Sequence, residues 1–175
     1  EALAGGAMRV LNDAERRALV ETEHDYRRVL GGLLVQDRDW GLPEREHMEV
    51  ACGSVTPDQW LDLLFAWRVV KHVMSNAIVL AKRGQTLGIG AGQTSRVDAV
   101  RLAVEKARAL GHDLEGAVLA SDGFFPFADG VEAALEAGIA AVIQPGGSKR
   151  DDEVKQAVSK AGRAMVLTHQ RHFRH

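Results

Sequence analysis

Little in this sequence announces a specialised chain. It has one cysteine, Cys52, in 175 residues, so no disulfide can close within it and no cysteine-rich zinc site can form. No apolar run approaches the roughly 20 residues that cross a bilayer. The opening stretch EALAGGAMRV lacks the basic start and long apolar core of a signal peptide. A cytoplasmic protein with no membrane partner is therefore expected. Aromatic residues make up only 5% of the chain, and 22 Lys and Arg face 24 Asp and Glu for a net charge of −2. Near-neutral charge without a basic helix face leaves no electrostatic footprint for nucleic acid. A start at Glu1 rather than methionine raises the expectation of processing or of a longer parent protein.

What is present is an ordinary apolar complement of 46%, which excludes a disordered tail and gives one domain of this length a core. Thr56-Pro57-Asp58-Gln59 reads as a capping box. The threonine caps, the proline fills a position where a missing N–H costs nothing, and the glutamine reaches back. The helix it opens should reach about His72 or Met74, with Trp60, Leu63, Leu64, Trp67 and Val70 as a core stripe. Upstream, 29–36 (VLGGLLVQ) reads as a strand kinked at Gly31-Gly32, 37–49 as a loop, and a short helical pattern falls near 13–22. Downstream, strands at 77–82, 86–89, 117–121, 139–144 and 164–168 are interleaved with helices at 95–110, 130–137 and 151–161. Helices between apolar strands imply a layered α/β sheet in a single domain.

In open α/β sheets, ligands sit in the loops at the carboxyl ends of strands, and three such loops stand out. GIGAGQTSR (88–96) alternates glycines and opens a helix, so it is either an anion cradle or a tight turn. It is neither a dinucleotide fingerprint nor a P-loop, because the third glycine and the G-K-[ST] run are missing. Arg96 at that helix start opposes the macrodipole at a cost of roughly 0.3–1 kcal/mol, which a ligand phosphate or carboxylate would offset. SDGFFPFAD (121–129) holds three of the five phenylalanines. It is either a plug over the sheet end or an aromatic wall, with Phe124 stacking on a flat ligand. Asp129 there suits an N-cap. PGGSKR (145–150) reads as a nest for an anion, followed by acids that suit a first helical turn. The tail sets Arg171 and Phe173 among histidines, and is either a solvated charged end or one that folds back over a site. Lys71-His72 is either a favourable cationic helix end or an acid/base pair. Zinc deaminase chemistry is excluded, because one cysteine cannot satisfy H-x-E with P-C-x-x-C.

Five segments in order, VVKHVMSNAIV (69–79), GIGAGQTSR (88–96), SDGFFPFADG (121–130), IQPGGSKRDDEV (143–154) and RHFRH (171–175), join GGLLVQDRD (31–39). Together they closely resemble the C-terminal part of the transformylase region in the bifunctional purine biosynthesis family PurH. The resemblance covers about Tyr26 to His175 and leaves 1–25 poorly matched. It implies a three-layer α/β/α, cytidine-deaminase-like unit without the zinc motif. It also implies formyl transfer from 10-formyltetrahydrofolate to the exocyclic amine of aminoimidazole carboxamide ribonucleotide (AICAR), a step of purine biosynthesis.

By the same resemblance, Asn76 stabilises the transition state, and Arg96, Phe124, Asp129 and Arg171 bind the nucleotide. Val97, Ser148 and Lys149 lie near the folate, and Val69, Val73, Ser75 and Asp122 lie near a bound potassium ion. The chemistry agrees: an amide can donate to a developing oxyanion, and a guanidinium fork suits phosphate. The family's catalytic base is a histidine of a Lys-His pair in an upstream unit that this sequence does not contain, so His72 is not given that role. The implied partners are AICAR, folate, a second copy in a homodimer, and the upstream half, without which the chain is expected to be inactive. A non-catalytic nucleotide-binding or regulatory module is the alternative.

Overall fold

The computed structural model describes residues 24–39, 41 and 43–174, so the helical pattern near 13–22 lies outside the described residues. The chain divides into two compact units, 1–41 and 42–175, where the sequence suggested a segment of 25 residues ahead of a single unit. In the first, β1 (His24–Val29) and β2 (Gly32–Asp37) form an antiparallel hairpin. Val29 pairs with Gly32, which leaves Leu30 and Gly31 as a two-residue turn. Gly31 has φ +82°, a backbone conformation that glycine adopts without steric cost. The kink read at Gly31-Gly32 is thus a full chain reversal.

The second unit carries a six-stranded mixed sheet. Its elements are β3 (Glu49–Cys52), α1 (Pro57–Val70), β4 (Ile78–Lys82), β5 (Gln85–Gly90), α2 (Arg96–Ala109), β6 (Val118–Ser121), α3 (Asp129–Glu136), β7 (Ala141–Gln144), α4 (Asp151–Lys160) and β8 (Ala164–Leu167). The strand order is β3-β8-β7-β6-β4-β5. β6, β7 and β8 are parallel, β4 is antiparallel to both β5 and β6, and β3 is antiparallel to β8. β3 has no counterpart in the sequence reading. The capping box is as read: the Gln59 N–H donates to Thr56 Oγ1 at 3.2 Å and the Thr56 N–H to Gln59 Oε1 at 2.9 Å.

Alternate strand residues feed two cores. Val79, Ala81, Val118, Ala120, Ala141 and Ile143 pack with Trp60, Leu63 and Trp67 of α1. Ile78, Leu80, Leu119, Val142 and Met165 face the other way, onto α2, α3 and α4. The period-two switch along each strand produces three layers, α/β/α, with one helix on one side and three on the other. No helix among the described residues is long and apolar enough to cross a membrane.

Candidate functional site

Strand direction gathers the site. β5 and β6 both run antiparallel to β4, so they run parallel to each other, and β7 and β8 follow β6. The carboxyl ends of β5 to β8 therefore share one edge of the sheet with the start of β4, where Ile78 pairs with Gly90 on one side and Ser121 on the other. The three loops and the tail emerge at that edge. A hollow of about 440 Å³ lies there, lined by Asn76, Thr94 to Val97, Gly123 to Phe127, Asp129 and Phe173. A second hollow, of about 550 Å³ between α2 and α3, is lined by Val100, Arg101, Glu105, Arg108 and Glu136, among others. None of the three loops reaches it.

The centre of the edge is a buried polar network. Arg96 and Asp122 have side chains 6% and 1% exposed, with Arg96 Nη1 donating to Asp122 Oδ1 at 2.5 Å. Nη1 also donates to Ser121 Oγ at 2.8 Å, and Nη2 donates to Asn76 Oδ1 at 2.9 Å. Asp122 Oδ1 accepts the Ala77 N–H at 3.1 Å, and Oδ2 accepts from Ser75 Oγ. The anion that offsets Arg96 at the start of α2 is thus an internal carboxylate, where the sequence argument reserved that place for a ligand. The two charges match each other, as burial demands, and three of the five guanidinium N–H donors have partners inside the network. Arg96 still borders the hollow.

The phenylalanine loop divides its labour. Phe125 is fully buried, and its N–H donates to Gln144 Oε1 at 2.8 Å, so it is the plug. Phe124 and Phe127, 38% and 48% exposed, wall the hollow. Asp129 lines it too, but it is the first residue of α3 rather than its cap. Ala128 holds the cap position, and Asp129 Oδ1 accepts only from the neighbouring Gly130 N–H, at 2.7 Å.

Gly88 and Gly90 have a structural reason. A Cβ on Gly90 would stand 1.9 Å from the Ala99 carbonyl oxygen, and one on Gly88 2.1 Å from that of Ala103. They let α2 lie directly on β5 instead of admitting a ligand to the backbone.

The remaining sequence-derived residues are placed unevenly. Val97 lines the hollow, while Arg171, Ser148 and Lys149 do not. Arg171 is exposed, with its guanidinium 5.0 Å from the ring of Phe173, which does line it. Ser148 Oγ accepts from the Arg150 N–H at 3.1 Å, and Lys149 is exposed. The third loop touches the wall of the hollow from outside through Arg150, which the sequence reading passed over and whose guanidinium sits 4.7 Å over the ring of Phe127, a lining residue. Neither Lys71 nor His72 lines the hollow.

The oxygens suggested for potassium fit a cation in part. Ser75 and Asp122 meet, but Asp122 is already matched by Arg96, and the Val69 carbonyl accepts the His72 N–H at 3.0 Å. Among the described residues, no group of three or more His, Cys, Asp or Glu is placed to hold a metal.

A sequence model of the AICARFT/IMPCHase bienzyme family matches residues 4–106. The bifunctional purine biosynthesis protein PurH of Acidithiobacillus ferrooxidans is 54% identical over 169 residues, covering 96% of this chain and 32% of that protein. The PurH of Persephonella marina is 56% identical over 151 residues, covering 86% of this chain and 29% of its own length. The chain thus spans about a third of these curated relatives. Among solved structures, a diaminohydroxyphosphoribosylaminopyrimidine deaminase/5-amino-6-(5-phosphoribosylamino)uracil reductase from Thermotoga maritima aligns at TM-score 0.39 and 23% identity. It covers 63% of this chain and 35% of that one.

Proposed function

This chain belongs to the AICARFT/IMPCHase bienzyme family, and from that premise we propose that it is the C-terminal, substrate-binding half of an AICAR formyltransferase of purine biosynthesis, acting in the cytoplasm. One observation carries the reading. The fold sets the Asn76 amide in the same hollow as the exposed face of Phe124 and the carboxylate of Asp129, although they are 48 and 53 positions apart in the chain.

The chemistry follows from that hollow. Phe124 gives a planar heterocycle a stacking face. Asn76 supplies an N–H toward the oxygen that becomes anionic when an amine attacks a formyl carbon. The proton lost by that amine needs a base, and the hollow offers no histidine. We assign that role to the upstream half of the transformylase region, with 10-formyltetrahydrofolate as formyl donor and a homodimer as the working form. Arg171 and the loop carrying Ser148 and Lys149 are assigned to the rim, where they meet the phosphate and the folate.

Calorimetry and turnover test the proposal together. The isolated chain should bind AICAR and release essentially no formyl-AICAR, and addition of the upstream half should restore transfer. Substantial turnover by the purified chain alone would refute the split of roles. Absence of AICAR binding in both states would refute the substrate.

A further inference from the structure

We propose that Arg96 is a positioning residue for Asn76, its buried guanidinium deciding which end of the Asn76 amide is offered to the hollow. The inference rests on the reading of Asn76 as the oxyanion donor and adds a device that sets it. A guanidinium has donors only, so the Asn76 atom that meets Nη2 at 2.9 Å must be the carbonyl oxygen. A flipped amide would press an NH2 group against Nη2, donor against donor.

With Oδ1 so held, Nδ2 occupies the opposite end. One of its two hydrogens goes to the Gln93 carbonyl at 2.9 Å. The described residues offer no acceptor for the other, and Asn76 lines the hollow. That hydrogen is the one a ligand oxygen can take.

The guanidinium is itself immobilised. Asp122 and Ser121 hold Nη1, Asp122 is in turn held by the Ala77 N–H and by Ser75, and the Asp122 carbonyl accepts the His172 N–H at 2.9 Å. Arg96 therefore spends three of its five guanidinium donors on orientation. Its loss should be felt in the chemical step more than in nucleotide affinity, because an oriented donor contributes in the transition state.

The test has two arms. In the 15N-labelled 175-residue chain, the Asn76 side-chain amide should show one slowly exchanging proton and one faster proton. In Arg96→Met both should exchange at least about tenfold faster, and Arg96→Lys should restore part of the protection. In the assembled enzyme, Arg96→Met should lower kcat by about 100-fold, as for loss of an oxyanion donor, with the AICAR KM moved less than about threefold. Asn76→Ala should cost a similar factor, and the double variant should cost little more than either alone.

If stranding Asp122 prevents Arg96→Met from folding, Arg96→Met/Asp122→Asn removes both charges and is read in its place. Unchanged amide exchange overturns the proposal. So does a tenfold rise in AICAR KM at constant kcat, which would make Arg96 a direct ligand contact. An assembled wild-type enzyme that transfers no formyl group would sink the functional reading, while the exchange data still decide whether Arg96 orients Asn76.

Discussion

Cys52 stands at the edge of the sheet, opposite Met165 of β8. Burial pushes its thiol up from the usual value, against smaller opposing pulls from the Met165 backbone and Lys155. A thiol raised by folding contributes no penalty below its unfolded value and weakens the fold as pH rises past it, because the thiolate forms more readily in the unfolded chain. Alkylation of Cys52 at neutral pH should therefore be much slower in the folded chain than in urea, and denaturant midpoints should fall above about pH 9. Equal alkylation rates in both states would contradict the burial. Asp62 is equally specific. It is 9% exposed, and its two carboxylate oxygens accept the N–H groups of Arg83 and Gly84, each at 2.8 Å. It clamps α1 to the β4–β5 turn, where both residues have positive φ. Asp62→Ala should cost about 1–3 kcal/mol in chemical denaturation, as two part-buried donors lose their acceptor. The buried partner of Arg96 shows why residue-level chemistry was only half legible. The helix-start arginine demanded an anion, and that demand was readable. The anion itself, Asp122, lies 26 positions away, and no local pattern joins the two.

Elements set by neighbouring residues were the most readable. The capping box fixed the start of α1, and the alternation from β4 to β8 matched the structure closely, because caps and hydrophobic periods are short-range facts. The strand read over 29–36 takes in the turn, Leu30 and Gly31, and most of β2, while β1 went unread because HDYRRV is largely polar and every residue in it is exposed. β3 escaped because an edge strand of four residues, Glu49–Cys52, carries half its side chains in solvent and so lacks the buried signature of the central strands. Glycine function was the least readable. Gly88 and Gly90 look the same in sequence whether a ligand or a helix approaches, and only the packing of α2 on β5 tells them apart. Gly90→Ala should destabilise the second unit by about 3 kcal/mol, because the clash is with backbone that cannot step aside. Gly32→Ala is the control, since a Cβ there meets nothing within 4 Å. Urea denaturation of both variants decides the matter, and equal midpoints would mean that α2 can lift off β5.

At the scale of the molecule, the site exists because one sheet edge collects loops from distant parts of the chain, and the tail after β8 stitches that edge together. The Thr168 N–H donates to the Gln144 carbonyl at 2.9 Å, and the His169 N–H to the Pro145 carbonyl at 3.0 Å. The His172 N–H reaches the Asp122 carbonyl at 2.9 Å, and the Arg174 carbonyl accepts the Ser75 N–H at 2.8 Å. Four backbone hydrogen bonds thus tie the ends of β6 and β7 to the start of β4. His172 is 1% exposed and lies 4.6 Å from Trp67 between ring centres, so the tail also closes the core beneath α1. Sequence composition suggested a tail folding back but could not say onto what, because the strand order that brings residues 75, 122 and 145 together is a property of the whole sheet. Ending the chain after Leu167 removes four hydrogen bonds worth about 1 kcal/mol each, together with the burial of His172. Some of that is recovered as the freed backbone groups meet water, leaving a loss on the order of 3 kcal/mol. For a unit of this size such a loss lowers Tm by roughly 10 °C, and the Asn76 amide should lose part of its protection with it, since Ser75 and Asp122 each lose a backbone tie to the tail. Calorimetric melting and side-chain amide exchange on the shortened chain measure the two effects separately. A shortened chain that melts with the intact one would show that the edge holds without its stitch.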